Sequence, residues 1–498
     1  MRKRRSLWWG TLTLTGAAVA SRGLGLIYRV LLARFLGSEG LGFFQMIFPF
    51  YIALVTLAMA GTPVAVSQLI AEDQTNPRRL MRLALVIVTA VSLPLIVMVI
   101  LLAKPLALAL YHDPRFVPLI MTIAPALLAV GFSAVLRGYF VGIQQLAYPA
   151  VSQVSEQLIR VVILYAILNF LGRQAFHNAP LVAVALIPLG EGVSLVILGL
   201  AYIRAYAPNM PQARHRTGVR DILRLSVPVT FSRLLSSLVG VVEAVLIPLR
   251  LEAAGMSSYL AIRYFGQLTG MALPLIFFPT ALTLSLSTNL VPVMAHKHAA
   301  QDTEGIRDSL MEGLEATALF TVPVTILLLA LGVKLDDLFF HAHISPAVFY
   351  PLVLGGFFLY FDITLSGALR GLGRTDIPMR NDLVASVIEI ALIWVFTVNP
   401  GSAQAGIPAA IGIGFVLSMV FNAVSLARLS RISIPWGRIL ARPLAAAVPV
   451  LLTLTLWRIW GSSHHLTQAV SLTGSVGLTI MAYLLSLRLT GSTVHKFL

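Results

Sequence analysis

The sequence contains no cysteine, and only 11% of its 498 residues are charged. Without cysteine, neither a disulfide framework nor a thiolate metal site can form. A soluble globular domain carries about 25% charged residues, so this chain has too few charges to cover itself with a solvated surface. Because 58% of the residues are hydrophobic, we predict a multi-spanning membrane protein.

Sequence motifs of enzymes are also missing. The chain has no Walker A phosphate loop, no H-E-x-x-H zinc motif and no G-x-S-x-G nucleophile turn. The stretches between its apolar runs are too short to hold a catalytic domain. We therefore predict that the protein is not an enzyme and that it uses no cofactor and no metal.

Apolar runs long enough to cross a bilayer as a helix, about 20 residues each, dominate the chain. There are fourteen of them, at approximately 11–33, 41–68, 80–103, 118–137, 149–171, 180–203, 222–248, 259–290, 309–333, 345–368, 381–399, 405–427, 440–460 and 467–488. The runs 41–68 and 259–290 carry internal prolines, so we expect kinked or broken helices there. The pattern predicts an all-α integral membrane protein with about 14 transmembrane helices.

The basic residues are distributed unevenly between the two sides. A net charge of +16 would indicate nucleic acid for a soluble protein, but basic cytoplasmic loops account for it here. With the N-terminus inside, 24 of the 36 Lys and Arg residues fall on the inner side, Arg137 among them, and 8 fall outside. This bias predicts that both termini are cytoplasmic and that the protein has no nucleic-acid partner.

Short motifs recur six runs apart. Ser21-Arg22 in the first run returns as Ser232-Arg233 in the seventh, and Leu136-Arg137-Gly138 returns as Leu369-Arg370-Gly371. An even number of spans between two copies gives both the same orientation, so we predict two parallel-repeat six-helix bundles plus two C-terminal helices. The expected parts are an N-terminal lobe (1–206), a cytoplasmic linker (207–221), a C-terminal lobe (222–427), and an amphipathic linker with helices 13 and 14 (428–498).

The segment 428–442 alternates arginines with apolar residues. One interpretation is a plain positive anchor on the cytoplasmic side. The other is an amphipathic stretch on the inner leaflet that contacts lipid head groups.

Four arginines lie inside the predicted spans: Arg22, Arg29, Arg160 and Arg233. A charged side chain at the centre of a span costs at least ~2.5–3.5 kcal/mol, so it faces a partner or a polar cavity. Arg29 follows Arg22 by seven residues and therefore shares its helix face. We predict that Arg22, Arg29 and Arg233 bind an anionic substrate. Gln45 and Gln267 would add hydrogen-bonding groups for a sugar, although a single glutamine in a span can equally hold two helices together.

Five acids lie inside the predicted spans: Glu156, Glu191, Glu243, Asp362 and Glu389. Glu156 and Arg160 are four residues apart, so they can form an ion pair on one helix. A role in coupling to H⁺ or Na⁺ is the alternative interpretation for this pair and for Glu243. Pairing with an arginine of another span is the structural interpretation for Glu243.

Five segments carry a resemblance to a known family: 21–45, which reads SRGLGLIYRVLLARFLGSEGLGFFQ, and 60–72, 137–160, 264–292 and 370–382. Through them the chain resembles the multidrug/oligosaccharidyl-lipid/polysaccharide (MOP) exporter superfamily, in its stage V sporulation protein B and polysaccharide-biosynthesis branch. The resemblance implies a pair of six-helix bundles with two extra helices that works by alternating access.

That branch is similar to the lipid II flippases, which line a central cavity with arginines. Ser21-Arg22 matches this pattern, and Arg29 falls at or next to the second arginine position. The chain has Gln267 where those flippases have an arginine in span 8, and it lacks an arginine in span 2. The resemblance thus implies an anionic, lipid-linked cargo without identifying it.

The leading hypothesis is a flippase for an undecaprenyl-pyrophosphate-linked saccharide, lipid II or a related wall precursor, acting in the bacterial cytoplasmic membrane. Its expected partners are this cargo and membrane lipids, with H⁺ or Na⁺ as conceivable coupling ions, and we expect a monomer. A cation-coupled multidrug antiporter of the same fold is the first alternative. A non-transporting scaffold for wall or spore-coat assembly is the second.

Overall fold

The computed structural model describes residues 2–72, 76–171, 178–205, 218–341, 343–463 and 468–489. Within these ranges the regular structure is entirely helical. The helices are α1 (Arg2–Met59), α2 (Thr62–Ala71), α3 (Pro77–Leu101), α4 (Ala103–Tyr111), α5 (Phe116–Ile123), α6 (Ala126–Gly142), α7 (Ala147–Ala166), α8 (Ala179–Ala205), α9 (Val219–Ala253), α10 (Ser258–Gln267), α11 (Leu273–Phe277), α12 (Thr280–Ala299), α13 (Thr303–Phe340), α14 (Pro346–Gly371), α15 (Asp376–Phe396), α16 (Pro400–Ser430), α17 (Trp436–Ser463) and α18 (Gln468–Leu489).

The helices of the described residues provide fourteen candidate membrane crossings. Eleven candidate spans meet the length and hydropathy needed to cross a membrane, and the first of them, Gly23–Ala71, is 49 residues long. A straight helix of that length would measure roughly 70 Å, over twice the ~30 Å apolar layer. The backbone leaves the helical conformation at Gly37 (φ 66°, ψ −179°), which divides this segment into two spans. Adding α15 and α18 gives the fourteen that the sequence predicts, so the predicted fold class is confirmed.

The connection between the first two predicted spans differs from the expected loop. The gap expected between 33 and 41 is helical on both sides of Gly37, whose positive φ a residue with a side chain would adopt only under strain. Pro49 lies inside α1, and the break comes later, at Ala60 and Gly61, which both have positive φ. Pro63 follows in the first turn of α2, where the helix needs no amide donor.

The predicted break in the eighth span is present. The helix α10 passes into a π-helical turn at Leu268–Ala272 and then into α11, which ends at Phe277. Pro279 precedes the start of α12. The long apolar run 259–290 is therefore three helices and a π-helical turn.

The chain forms two compact units. Unit 1 comprises Met1–Leu249 with Ser257–Gly266, and unit 2 comprises Arg250–Met256 with Gln267–Leu498. The lobe boundaries expected at 206 and 222 stay a prediction.

Glycines set the closest helix contacts within each unit. In unit 1 a Cβ on Gly42 of α1 would lie 2.2 Å from the backbone oxygen of Ile262 in α10. In unit 2 a Cβ on Gly355 of α14 would lie 2.4 Å from the Cα of Gly412 in α16. Backbones approach this closely where at least one of the two helices has a glycine at the contact, as is common between membrane helices.

Candidate functional site

Arg29 extends from the exposed side of α1. Tyr28 and Leu32, its neighbours on the helix, are buried, whereas the side chain of Arg29 is exposed. Among the described side chains no carboxylate forms an ion pair with it. Arg22 lies in the same helix, next to the buried Ser21, but its side chain is outside the described part of the chain. The structure thus presents one of the two predicted α1 arginines as an unneutralised cation.

Arg233 of α9 resembles Arg29 of α1 in its exposure. Its side chain is exposed and forms no ion pair with any described carboxylate, and Phe231, two residues before it, is 62% exposed. Glu243 lies ten residues further along α9 and is half-buried. No described side chain makes an ion pair with Glu243, so its predicted structural pairing is not seen among the described residues.

The two predicted glutamines fall in different units. Gln45 is half-buried in α1, three residues after the close approach of Gly42 to α10. Gln267 is half-buried at the end of α10, where the π-helical turn begins. Their predicted contacts with substrate stay a prediction.

Glu156 and Arg160 are in direct contact within α7, as their spacing predicts. The Oε1 atom of Glu156 lies 2.8 Å from Nη2 of Arg160, and both side chains are about nine-tenths buried. A second arginine, Arg137 of α6, approaches the other carboxylate oxygen of Glu156 at 3.2 Å. One carboxylate therefore faces two guanidinium groups.

The helix α8 completes this arrangement. Glu191 Oε1 lies 3.6 Å from Nη2 of Arg160, and the hydroxyl of Ser194 accepts a hydrogen bond of 2.7 Å from Nη2 of Arg137. Gly190 provides the room for Arg160, because a Cβ there would lie 2.3 Å from its Nε atom. We name Arg137, Glu156, Arg160 and Glu191 the four-charge network; its formal charges cancel.

The structure adds two members to the predicted pair of Glu156 and Arg160. The sequence places Arg137 at the inner end of the fourth run; in the structure it lies within α6, and its side chain is 28% exposed. Its position near the end of an apolar run resembles that of a loop arginine, whereas the long side chain reaches the interior of unit 1. Glu191 was visible as an intramembrane acid, but only the packing of α8 on α7 shows that it meets Arg160.

Unit 2 contains a second buried polar cluster. The carboxylate of Asp362 in α14 accepts a hydrogen bond of 2.7 Å from Asn422 of α16, whose own side-chain oxygen accepts one of 2.8 Å from Asn381 of α15. The hydroxyl of Ser418 in α16 donates a hydrogen bond to the carboxylate of Asp382 in α15. Glu389 lies against Gly414 of α16. These acids join α14, α15 and α16 through hydrogen bonds and close packing.

The arrangement separates two kinds of intramembrane arginine. Arg137 and Arg160 are neutralised by acids, whereas Arg29 and Arg233 have no described acidic partner. Unneutralised guanidinium groups in membrane-spanning helices can bind an anion, with phosphate as their best geometric match. Among the described residues, no group of three or more His, Asp or Glu side chains could hold a metal ion.

Comparison with known proteins finds two matching families. The family described as "Polysaccharide biosynthesis protein" matches residues 7–298, and the family described as "MatE" matches residues 268–395. Stage V sporulation protein B of Bacillus subtilis (strain 168) is 28% identical over 440 residues, which cover 85% of this chain and 84% of that protein.

Two solved structures share the fold. Lipid II flippase MurJ in an inward closed conformation aligns with a TM-score of 0.73 at 17% identity, covering 95% of this chain and 98% of the flippase. An inward-facing multidrug resistance MATE family transporter of the MOP superfamily aligns with a TM-score of 0.65 at 15% identity, covering 84% of this chain and all of the transporter. At these identities the likeness establishes the fold.

Proposed function

Because the chain belongs to the polysaccharide biosynthesis protein family, in the stage V sporulation protein B branch of the MOP superfamily, we propose that it is a flippase for an undecaprenyl-pyrophosphate-linked saccharide. It is a multi-spanning protein of the plasma membrane. Lipid II or a related cell-wall precursor is the cargo we propose, moved outward by alternating access. The protein works as a monomer with both termini cytoplasmic in this proposal, and it catalyses no covalent chemistry.

The observation that carries the proposal is the contrast between paired and unpaired arginines. Both acids of the four-charge network are within 4 Å of a guanidinium group, which leaves no net charge there. Arg29 and Arg233 are exposed and have no described acidic partner. A positively charged site disfavours a cationic drug and favours a pyrophosphate.

The membrane potential supplies enough energy for this transport. One elementary charge crossing the membrane gains about 2.3 kcal/mol per 100 mV. A pyrophosphate with two negative charges therefore gains roughly 4–5 kcal/mol when it moves outward, because an inside-negative potential of that size drives an anion out. No coupling ion is required for net export, although H⁺ or Na⁺ could still be linked to the conformational cycle.

The test is transport by the purified chain in vesicles. Proteoliposomes would carry an undecaprenyl-pyrophosphate saccharide with a fluorescent label, and an impermeant quencher would report which leaflet holds it. We expect label to cross at a rate well above that of protein-free vesicles. Rates equal to those of protein-free vesicles at either polarity of an imposed potential would refute the proposal.

A cation-coupled drug antiporter is the second candidate, and Glu243 is the observation in its favour. This acid is half-buried in α9, and none of the described side chains forms an ion pair with it. Such an antiporter would exchange a cationic dye for H⁺ or Na⁺ in the same vesicles. Dye exchange that is lost in Glu243→Gln, together with no movement of the lipid, would favour this candidate.

A further inference from the structure

The connection between α16 and α17 concentrates positive charge without any local acid. We name residues 428–442 the basic segment; it contains Arg428, Arg431, Arg438 and Arg442 and no Asp or Glu. Glu389 is the last acidic residue of the whole chain, so the 109 residues from 390 to 498 contain no carboxylate side chain. The counter-charge for these four arginines has to come from elsewhere.

The basic segment is fixed to the core of unit 2. Ile432 and Ile439 are 7% and 2% exposed and belong to the apolar cluster around Phe361. The Trp436 ring packs edge-on against the Phe361 ring, with centroids 5.6 Å apart. Ile432, Trp436 and Ile439 of this segment thus face the protein. The prediction of an amphipathic stretch on the inner leaflet stays a prediction.

The four arginines point away from that core. All four side chains are exposed, and none forms an ion pair with a described carboxylate. Arg431 has φ 56°, a left-handed conformation that glycine or asparagine adopts with less strain. The segment therefore holds arginine at a position where the backbone alone would favour another residue.

Arg374, at the same end of unit 2, is neutralised by an acid of its own chain. Leu372 and Ile377 belong to the same apolar cluster as Ile432, so the connection between α14 and α15 lies at the same end of unit 2. There Arg374 donates two hydrogen bonds of 3.0 Å to Asp376. An arginine at this end of the protein can be neutralised within the chain, but those of the basic segment are not.

The surroundings of the basic segment favour a lipid as the partner. Leu429, next to Arg428, is 41% exposed, and Leu444, two residues after Arg442, is 51% exposed. Both leucines lie on membrane-spanning helices, so their exposed surface meets acyl chains. Four arginines beside lipid-facing leucines lie at the level of the head groups, where guanidinium groups bind phosphate.

We propose that the basic segment binds the phosphate groups of anionic glycerophospholipids in the leaflet at this end of unit 2, which the charge distribution predicts to be the cytoplasmic one. The proposal is independent of the cargo. It differs from the positive-inside effect, which orients spans during insertion and requires neither saturable binding nor a preference for one head group.

The experiment compares lipids on the purified full chain in a neutral detergent. Native mass spectrometry would count retained dioleoyl phosphatidylglycerol and dioleoyl phosphatidylcholine as each is titrated. The test variant is Arg431→Gln with Arg438→Gln, and the matched control is Arg374→Gln. Thermal unfolding in the same detergent would establish that each protein is folded. Arg431→Lys, which keeps the positive charge, is the conservative variant.

We expect saturable binding of phosphatidylglycerol that is at least tenfold tighter than that of phosphatidylcholine. Each basic residue near an anionic surface contributes about fivefold in affinity, so the double variant should bind roughly 25-fold more weakly. Arg374→Gln should bind within twofold of the wild type, and Arg431→Lys should retain most of the affinity.

Three results would overturn the proposal. Equal binding of the two lipids would show that the segment does not select an anionic head group, as would be the case if it served an acidic protein. An equal loss in Arg374→Gln would show a diffuse charge effect. Displacement of phosphatidylglycerol by millimolar inorganic phosphate would show a site for a free anion.

Discussion

Removing the carboxylate of Glu156 should destabilise unit 1 strongly. Among the described residues, Glu156 is the one carboxylate in contact with both Arg137 and Arg160, at 3.2 and 2.8 Å. In Glu156→Gln, Glu191 at 3.6 Å would be the remaining described carboxylate beside Arg160, and Arg137 would keep the hydroxyl of Ser194 but no described carboxylate. The network would then carry one uncompensated positive charge inside the membrane.

The size of the effect follows from burial. Breaking a buried ion pair by removing one partner costs about 3–5 kcal/mol. The side chains of Glu156 and Arg160 are 9% and 10% exposed, so solvent screens them little, whereas Arg137 is 28% exposed and partly hydrated. Glutamine keeps the shape and one hydrogen-bonding oxygen. We therefore expect a loss near the lower end, about 3 kcal/mol.

A double-mutant cycle provides the control. Arg160→Met alone leaves an excess negative charge, but Glu156→Gln with Arg160→Met leaves Arg137 and Glu191 and restores a neutral network. The double variant should therefore cost at least about 2 kcal/mol less than the sum of the single variants, since neighbouring charges are not additive.

The assay is reversible unfolding in mixed micelles, followed by helical circular dichroism as the denaturing detergent is increased. A loss below about 1 kcal/mol for Glu156→Gln, or additivity within about 0.5 kcal/mol, would refute a structural role. A folded Glu156→Gln variant that has lost only the pH dependence of transport would favour ion coupling instead.

Two further predictions concern packing and hydrogen bonds in each unit. Gly190→Ala should lower stability by about 1–3 kcal/mol, because the new Cβ would displace the Arg160 guanidinium; Gly192→Ala, which has open space around it, should change stability by less than about 0.5 kcal/mol. Asn422→Leu should cost about 1–3 kcal/mol by leaving Asp362 without its 2.7 Å donor; Asn422→Ser, which can still donate, should cost less. The same unfolding assay checks both, and equal stabilities within either pair of variants would contradict the structural account.

The sequence predicts the fold well because the bilayer restricts it. Apolar runs of spanning length can only become helices, so the crossings could be counted before the structure was known. The connections between the helices were less predictable from the sequence. The polar stretch 37–40 resembles a loop. In the structure only Gly37, with its positive φ, leaves the helical conformation, and the helix continues on both sides of it.

Contacts between helices could not be predicted in the same way. Glu156 and Arg160 are close in sequence and on one helix face, so their pair was predictable. Arg137 and Glu191 are 54 residues apart, and only the packing of α6, α7 and α8 brings them to one cluster. The burial of Ile432 and Ile439 likewise depends on Phe361, which is far away in sequence.

The most direct test of the central claim is the initial rate at which arginine variants move the labelled undecaprenyl-pyrophosphate saccharide in proteoliposomes. Arg22→Gln, Arg29→Gln and Arg233→Gln should each lower the rate about 10- to 100-fold, the loss of one charge-assisted hydrogen bond. The control is Arg115→Gln, whose guanidinium is already paired with Asp113 at 2.8 Å; its rate should stay within twofold of the wild type. Wild-type rates in all four variants would contradict the assignment of these arginines to an anionic cargo.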